Sequence, residues 1–274
     1  VAVLIKKLIG IENIKRKKGS LKSTLLLILV FTVIISVWQI LVEGGFIAKY
    51  ILPSPYDILI TFFDIFPDVL PHMLISLKEA VIGLFFAIIF SILLALLMDN
   101  IKLLKDMVYP VLVVSQTVPI ILLAPLFAIW FGFGQLPKII IVVLVCFFPV
   151  VISLYEGLSS IDRSMVNLLK SMGANRLQIF RLLKFPASLI SFFSGLRIAV
   201  TYCILAAVIG EWMGGDKGLG VYLIRAKNAY ALDKVFSVII LIILLSLLLF
   251  KTVSLIRDLL LPYQKLIDKN NVEA

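Results

Sequence analysis

Residues Asn167 to Pro186 read NLLKSMGANRLQIFRLLKFP. Basic and apolar side chains recur at helical spacing on both sides of Gly173, and long apolar runs bound the segment at each end. That pattern predicts an amphipathic helical hairpin held outside the lipid between two membrane spans. Within the wider stretch from Gly157 to Phe192, Ser159 and Asp162 are placed to cap a first helix. Ile161, Met165, Leu168, Leu169 and Met172 give that helix one apolar face. Gly173 is expected to end it, because a chain reversing there needs positive φ. Asn175 and Gln178 are placed to cap a second helix, with Leu177, Phe180 and Leu183 on one side and Arg176, Arg181 and Lys184 elsewhere. Pro186 is expected to stop it. Such a hairpin can dock a protein partner or lie on anionic lipid.

The rest of the chain supplies the membrane. Its 274 residues are 62% hydrophobic, with mean hydropathy +1.14, well above the apolar share of a soluble domain. Six apolar segments are long enough to span: Leu25–Val42, Ala80–Met98, Val108–Phe131, Ile139–Tyr155, Phe193–Ile209 and Val235–Phe250. The third contains Pro110, Pro119 and Pro125 and is expected to be kinked or broken. Ser115, Gln116 and Thr117 would then offer polar groups to a translocation path.

The net charge of +10 does not indicate nucleic acid, since the charges sit in short connectors between apolar runs. Eighteen of the 26 Lys and Arg fall before the first span, between the second and third, between the fourth and fifth, or after the sixth. Seven fall in the alternate connectors, Lys138 among them, and Arg197 lies within the fifth span. The bias puts both termini and the hairpin in the cytoplasm. The expected organisation is a basic segment at 1–24, a six-span domain at 25–257 with the hairpin loop at 158–192, and a tail at 258–274. The basic stretch before Leu25 precedes an apolar run too long for a signal peptide, so the first span is expected to be retained.

On the external side, Ser54-Pro55-Tyr56-Asp57 starts a short helix with a capping serine and a first-turn proline. Ile58, Phe62, Ile65 and Phe66 form its apolar face. Leu219, Tyr222 and Tyr230 belong to the other long external loop. Arg197 and Glu211 are fourteen positions apart, roughly 21 Å along a helix, so they do not pair. Both sit near span ends, as path residues or as interfacial anchors. Cys146 and Cys203 read as small core residues. His72, the single histidine, has no ligating neighbours at metal spacing, and Gly214-Gly215-Asp216-Lys217 lacks the spacing of a phosphate-binding loop.

The hairpin resembles the EAA loop of permease subunits of ATP-binding cassette importers that work with a solute-binding protein. The family pattern is Glu-Ala-Ala, three residues, Gly, nine residues, Ile, any residue, Leu-Pro. Here Asn167-Leu168-Leu169, Gly173, Leu183 and Phe185-Pro186 stand at that spacing, with Asn-Leu-Leu in place of Glu-Ala-Ala. Met172-Gly173-Ala174, Ser194-Gly195-Leu196-Arg197, Gly218-Leu219-Gly220 and Leu52-Pro53-Ser54-Pro55 are similar to the family as well. The resemblance runs from Leu52 to about Tyr263 and points to the branch importing nitrate, sulfonates, taurine or thiamine-related pyrimidines.

What the resemblance implies is an all-α, six-span type I importer permease. Its coupling helix would use Asn167, Leu168, Leu169, Gly173, Ala174, Arg176, Phe180 and Pro186 against a cytoplasmic ATPase pair. A second permease subunit, a homodimer mate or a close relative, and an extracytoplasmic binding protein would complete the importer. ATP and magnesium would sit on the ATPase, with no cofactor or catalytic residue on this chain. The competing reading is an ion-coupled secondary transporter, which the broken third span fits. The lack of a central acid and of an internal repeat argues against it. A membrane-embedded enzyme lacks any reacting constellation.

Overall fold

A computed structural model describes residues 25–261. The basic N-terminal segment and the expected tail beyond Leu261 lie outside those residues. The described chain is helical throughout: α1 (Leu25–Glu43), α2 (Pro55–Asp64), α3 (Phe66–Asn100), α4 (Lys102–Ser115), α5 (Ile120–Phe131), α6 (Gln135–Ser159), α7 (Arg163–Ser171), α8 (Arg176–Ile179), a π-helical turn (Phe180–Lys184), α9 (Phe185–Trp212), α10 (Leu219–Asn228) and α11 (Leu232–Leu260). Five rods (α1, α3, α6, α11 and the continuous Arg176–Trp212) are long and apolar enough to cross a membrane. The α4–α5 pair, bent by 102°, is the sixth span when taken as one broken helix.

Helices α3, α6 and α9 form the centre of the bundle. On α3, Ser76, Ala80, Gly83, Ala87, Ser91 and Ala95 recur every three or four residues and are all buried. Small side chains at that spacing let helix backbones approach where no hydrophobic effect between helices is available. On α9, Gly195, Ala199, Cys203, Ala206, Ala207 and Gly210 do the same. The contact at Gly195 is closest, since a Cβ there would overlap the Pro149 carbonyl of α6. Cys146 and Cys203 are free and fully buried, and their thiols donate to the carbonyls of Ala199 and Ala80. They are small packing residues, as their apolar setting suggests.

Three element boundaries differ from the sequence expectation. The second span begins at Phe66, not Ala80, because α3 runs unbroken through Pro71 for 35 residues. At 1.5 Å per residue that is about 52 Å, longer than the ~30 Å hydrocarbon core. Phe66 therefore starts α3 and does not belong to the short helix α2. Pro186 does not stop a second hairpin helix. The π turn before it adjusts the backbone ladder, and the rod continues from Arg176 to Trp212; π adjustments of this kind are how membrane helices accommodate proline. Arg197 consequently lies mid-helix. Finally, α11 runs beyond the expected sixth span, from Leu232 to Leu260.

Helix α2 starts as its sequence indicates, with the Ser54 hydroxyl oxygen accepting the Asp57 N–H at 3.1 Å and Pro55 in the first turn. It docks on α11, where the Ser237 hydroxyl lies 3.0 Å from the Ile58 carbonyl and Thr61 donates to Asp233 at 3.0 Å. Outside its far end, α1 exposes apolar side chains such as Leu26, Phe31 and Ile40.

Candidate coupling hairpin and transport path

The hairpin is built from local signals. Asp162, not Ser159, caps α7: its carboxylate accepts the Ser164 N–H at 2.9 Å and the Ser164 hydroxyl at 2.7 Å. Those bonds, side chain first and backbone second, hold the Asp162 carboxyl below the usual carboxylate range. Ser159 is the last residue of α6, and its hydroxyl donates to the Glu156 carbonyl. At the other end of α7, the Gly173 N–H donates to Lys170 O at 2.9 Å and the Ala174 N–H to Leu169 O at 3.0 Å. This is the Schellman pair, and Gly173 has φ +84°. Asn175 and Gln178 then close a reciprocal capping box, each side chain bonded at 2.8 Å to the other's backbone N–H.

The exposed apolar residues of this turn are Met165, Leu168, Met172 and Leu177, with Met172 75% accessible. Asn167 and Arg176 are exposed beside them, Ala174 is half-buried, and Leu169 is turned partly inward. Phe180 also faces inward, its ring 6.1 Å from that of Phe185 and packed against the core around Leu154 and Leu158. The hairpin is tied to the bundle by Lys184, whose ammonium donates to both oxygens of Asp99, the penultimate residue of α3, at 2.7 and 2.8 Å. Neither partner of that pair stood out in the sequence.

The three path candidates of the third span lie at its bend. Ser115 ends α4, and Gln116 and Thr117 occupy the turn before Pro119, which caps α5. Pro110 and Pro125 sit within their helices, so the break falls at one proline of the three. The Ser115 and Thr117 hydroxyls donate to the carbonyls of Leu112 and Val114, at 3.0 and 2.7 Å, and Gln116 is exposed.

Arg197 is half-buried on α9. Glu211, fourteen residues on, is buried, 1% exposed. One oxygen accepts the Ser76 hydroxyl at 2.6 Å and the other the Gly220 N–H at 2.6 Å. Lys138 is equally sealed: it pairs with Glu79 at 3.2 Å, with side chains 5% and 1% exposed. Lys138, expected in a connector, lies in the first turn of α6. Glu79 escaped the sequence reading altogether. His72 makes no metal cluster among the described residues. Its Nδ1 lies 3.0 Å from both the N–H and the carbonyl oxygen of Gly218, and its ring meets Tyr222 edge-on. Leu219, Tyr222 and the loop around them form the short helix α10, with Leu219 buried and Tyr230 exposed after its end.

Residues 87–262 match the family described as binding-protein-dependent transport system inner membrane component. The chain is 37% identical over 253 residues to the formylaminopyrimidine transport permease protein of Halalkalibacterium halodurans, covering 92% of this chain and 99% of that one. It is 32% identical to a probable ABC transporter permease protein of Haemophilus influenzae over 83% of this chain and 93% of the other. It is 30% identical to the riboflavin transport system permease protein of Chloroflexus aurantiacus over 88% of each. With the helical bundle and the match across most of its length, the chain belongs to the inner-membrane permease components of binding-protein-dependent ABC importers.

Proposed function

We propose that this permease forms half of an import path for a small polar solute of the pyrimidine type, driven by an ATPase pair seated on its α7–α8 hairpin. The observation carrying the coupling role is the hairpin's surface. Met165, Leu168, Met172 and Leu177 stand exposed on a segment that also carries Arg163, Lys170, Arg176 and Arg181. Apolar anchors rimmed by charge suit a protein groove. Asn167, Leu168, Gly173, Ala174 and Arg176 are the contacts of this reading, and Leu169, Phe180 and Pro186 hold the hairpin against the bundle. ATP and magnesium belong to the ATPase.

The pyrimidine class rests on the 37% relative, whose identity extends over nearly both whole chains. Ser115, Gln116 and Thr117 at the bend would meet the solute, with Arg197 along α9. Exposed Val111, Val114, Leu122 and Ile129 on the bent span give it a face for a second permease copy. The hairpin end and both termini would be cytoplasmic. The test is reconstitution of the chain with its ATPase and binding protein in proteoliposomes, with ion gradients collapsed. ATP-dependent uptake of a labelled formylaminopyrimidine over taurine is expected. Preference for taurine would overturn the solute class.

A further inference from the structure

Two cavities of different chemistry meet at the foot of the hairpin. The first, about 480 Å³, lies between α7 and the ends of α3 and α6, where Arg163, Lys170, Lys184, Asp99 and Ser159 line it. The second, about 230 Å³, lies among α3, α6 and the start of α9, where Ile92, Leu96, Leu154, Phe185, Leu189 and Phe192 line it. Leu158 borders both, and the consecutive Lys184 and Phe185 line one each.

The first cavity carries surplus positive charge. Asp99 is the one acid among the described residues lining it, and Lys184 already neutralises that acid with two hydrogen bonds. An ammonium has a third N–H to give. Arg163 and Lys170 form no ion pair among the described residues. The helical repeat puts Arg163, Val166 and Lys170 on one face of α7 and Met165, Leu168 and Met172 on the opposite face. The two basic residues therefore belong to the cavity side, away from the exposed apolar anchors.

The second cavity is apolar and lies deeper in the spans. Ile92 precedes Asp99 by seven residues on α3, about 10 Å along the helix axis. Ser188, the one polar side chain lining this space, donates its hydroxyl to the Phe185 carbonyl at 3.0 Å. Ordered water needs roughly two to four polar partners, so hydrocarbon suits the space better. A soluble phosphate compound would use only the first cavity, and a neutral acyl chain only the second. A molecule with an anionic head and an apolar tail uses both.

We propose that the two cavities form one binding site for an anionic phospholipid at the foot of the hairpin. Its phosphate lies among Arg163, Lys170 and the third N–H of Lys184. One acyl chain enters between Ile92, Leu154 and Leu189. The site lies on the bundle side of α7 and stands whether or not an ATPase docks on the other face.

Native mass spectrometry of the purified full-length permease tests this, after delipidation and titration with phosphatidylglycerol or phosphatidylcholine of matched chain length. One phosphatidylglycerol per chain should be retained in preference to phosphatidylcholine. Arg163→Gln combined with Lys170→Gln should weaken its binding by about fivefold for each charge removed. Arg176→Gln combined with Arg181→Gln, an equal change of charge outside the cavity, should leave it in place. Leu189→Trp, which fills the apolar space without changing charge, should also release the lipid. If that variant does not accumulate, phosphatidylglycerol with six-carbon chains should bind the wild type more weakly than the long-chain lipid. Excess inorganic phosphate should not displace the lipid. Equal retention of the two lipids, equal loss in the two double variants, insensitivity to both Leu189→Trp and chain length, or displacement by inorganic phosphate would each overturn the proposal.

Discussion

Lys184 closes a bidentate ion pair on Asp99, 85 residues earlier, with its Nζ 2.7 and 2.8 Å from the two carboxylate oxygens. The pair joins the base of the hairpin to the end of α3, and α3 carries Ser76 and Glu79 of the buried group at its other end. A displacement of the hairpin therefore has a direct mechanical route into the central bundle. The π turn holding Lys184 is the kind of irregularity that concentrates at functional positions.

Asp99→Asn should keep the permease in the membrane and lower the solute moved per ATP hydrolysed. Connections of this sort carry about 0.5–2 kcal/mol of coupling, so a drop of roughly 2- to 30-fold is expected. The exchanged pair Asp99→Lys with Lys184→Asp should recover part of it. Equal coupling ratios in wild type and Asp99→Asn would make the ion pair a packing detail.

Single cysteines at Ser20 and Ser159 should resist an impermeant thiol reagent applied to intact cells, while one at Asp216 should label. The excess of Lys and Arg in the hairpin-side connectors sets this expectation. Labelling at Ser159 from outside would invert the orientation and place the hairpin away from any ATPase.

Gln116→Leu should reduce uptake at unchanged membrane abundance, because Gln116 is exposed in the bend between α4 and α5. Loss of one solute hydrogen bond, about 0.5–1.5 kcal/mol, corresponds to a two- to tenfold effect. Unchanged uptake kinetics at equal expression would assign the bend to helix packing.

Asp162 gives a pH expectation. A carboxyl held below its ordinary value contributes stability that is complete above about 3.9 and fades as pH falls through its lowered value. Between about pH 5 and 8 the cap is therefore constant. Asp162→Asn, which retains an accepting oxygen, should transport like wild type over that range, and Asp162→Ala should transport less at every pH in it. A transport profile that tracks Asp162 protonation within the range would contradict this.

Features carried by neighbouring residues could be read from the chain. The Ser54 cap, the Asn175–Gln178 box and the Gly173 reversal each depend on residues within four positions. Features fixed at a distance could not. The passage of α9 through Pro186 depends on the π turn at Phe180–Lys184, and the start of α3 at Phe66 on packing that carries Pro71. Glu79 and Lys138 are 59 residues apart, and the Asp99–Lys184 pair 85. No spacing rule joins positions so far apart. The inward turn of Phe180 similarly reflects the Leu154–Leu158 face of α6, and not its own helical periodicity.

Gly173 has φ +84° and nothing within 4 Å of where a Cβ would stand, so backbone strain, not space, limits substitution there. A residue with a Cβ loses roughly 1–2 kcal/mol in that conformation, a β-branched one more, while asparagine tolerates it. The exposed hairpin can change without disturbing the spans. Retention of the ATPase on the purified permease should therefore be normal for wild type and Gly173→Asn and clearly weakened for Gly173→Val, at equal membrane abundance. If Gly173→Val holds its ATPase and transports at the normal rate, the hairpin is not the coupling element.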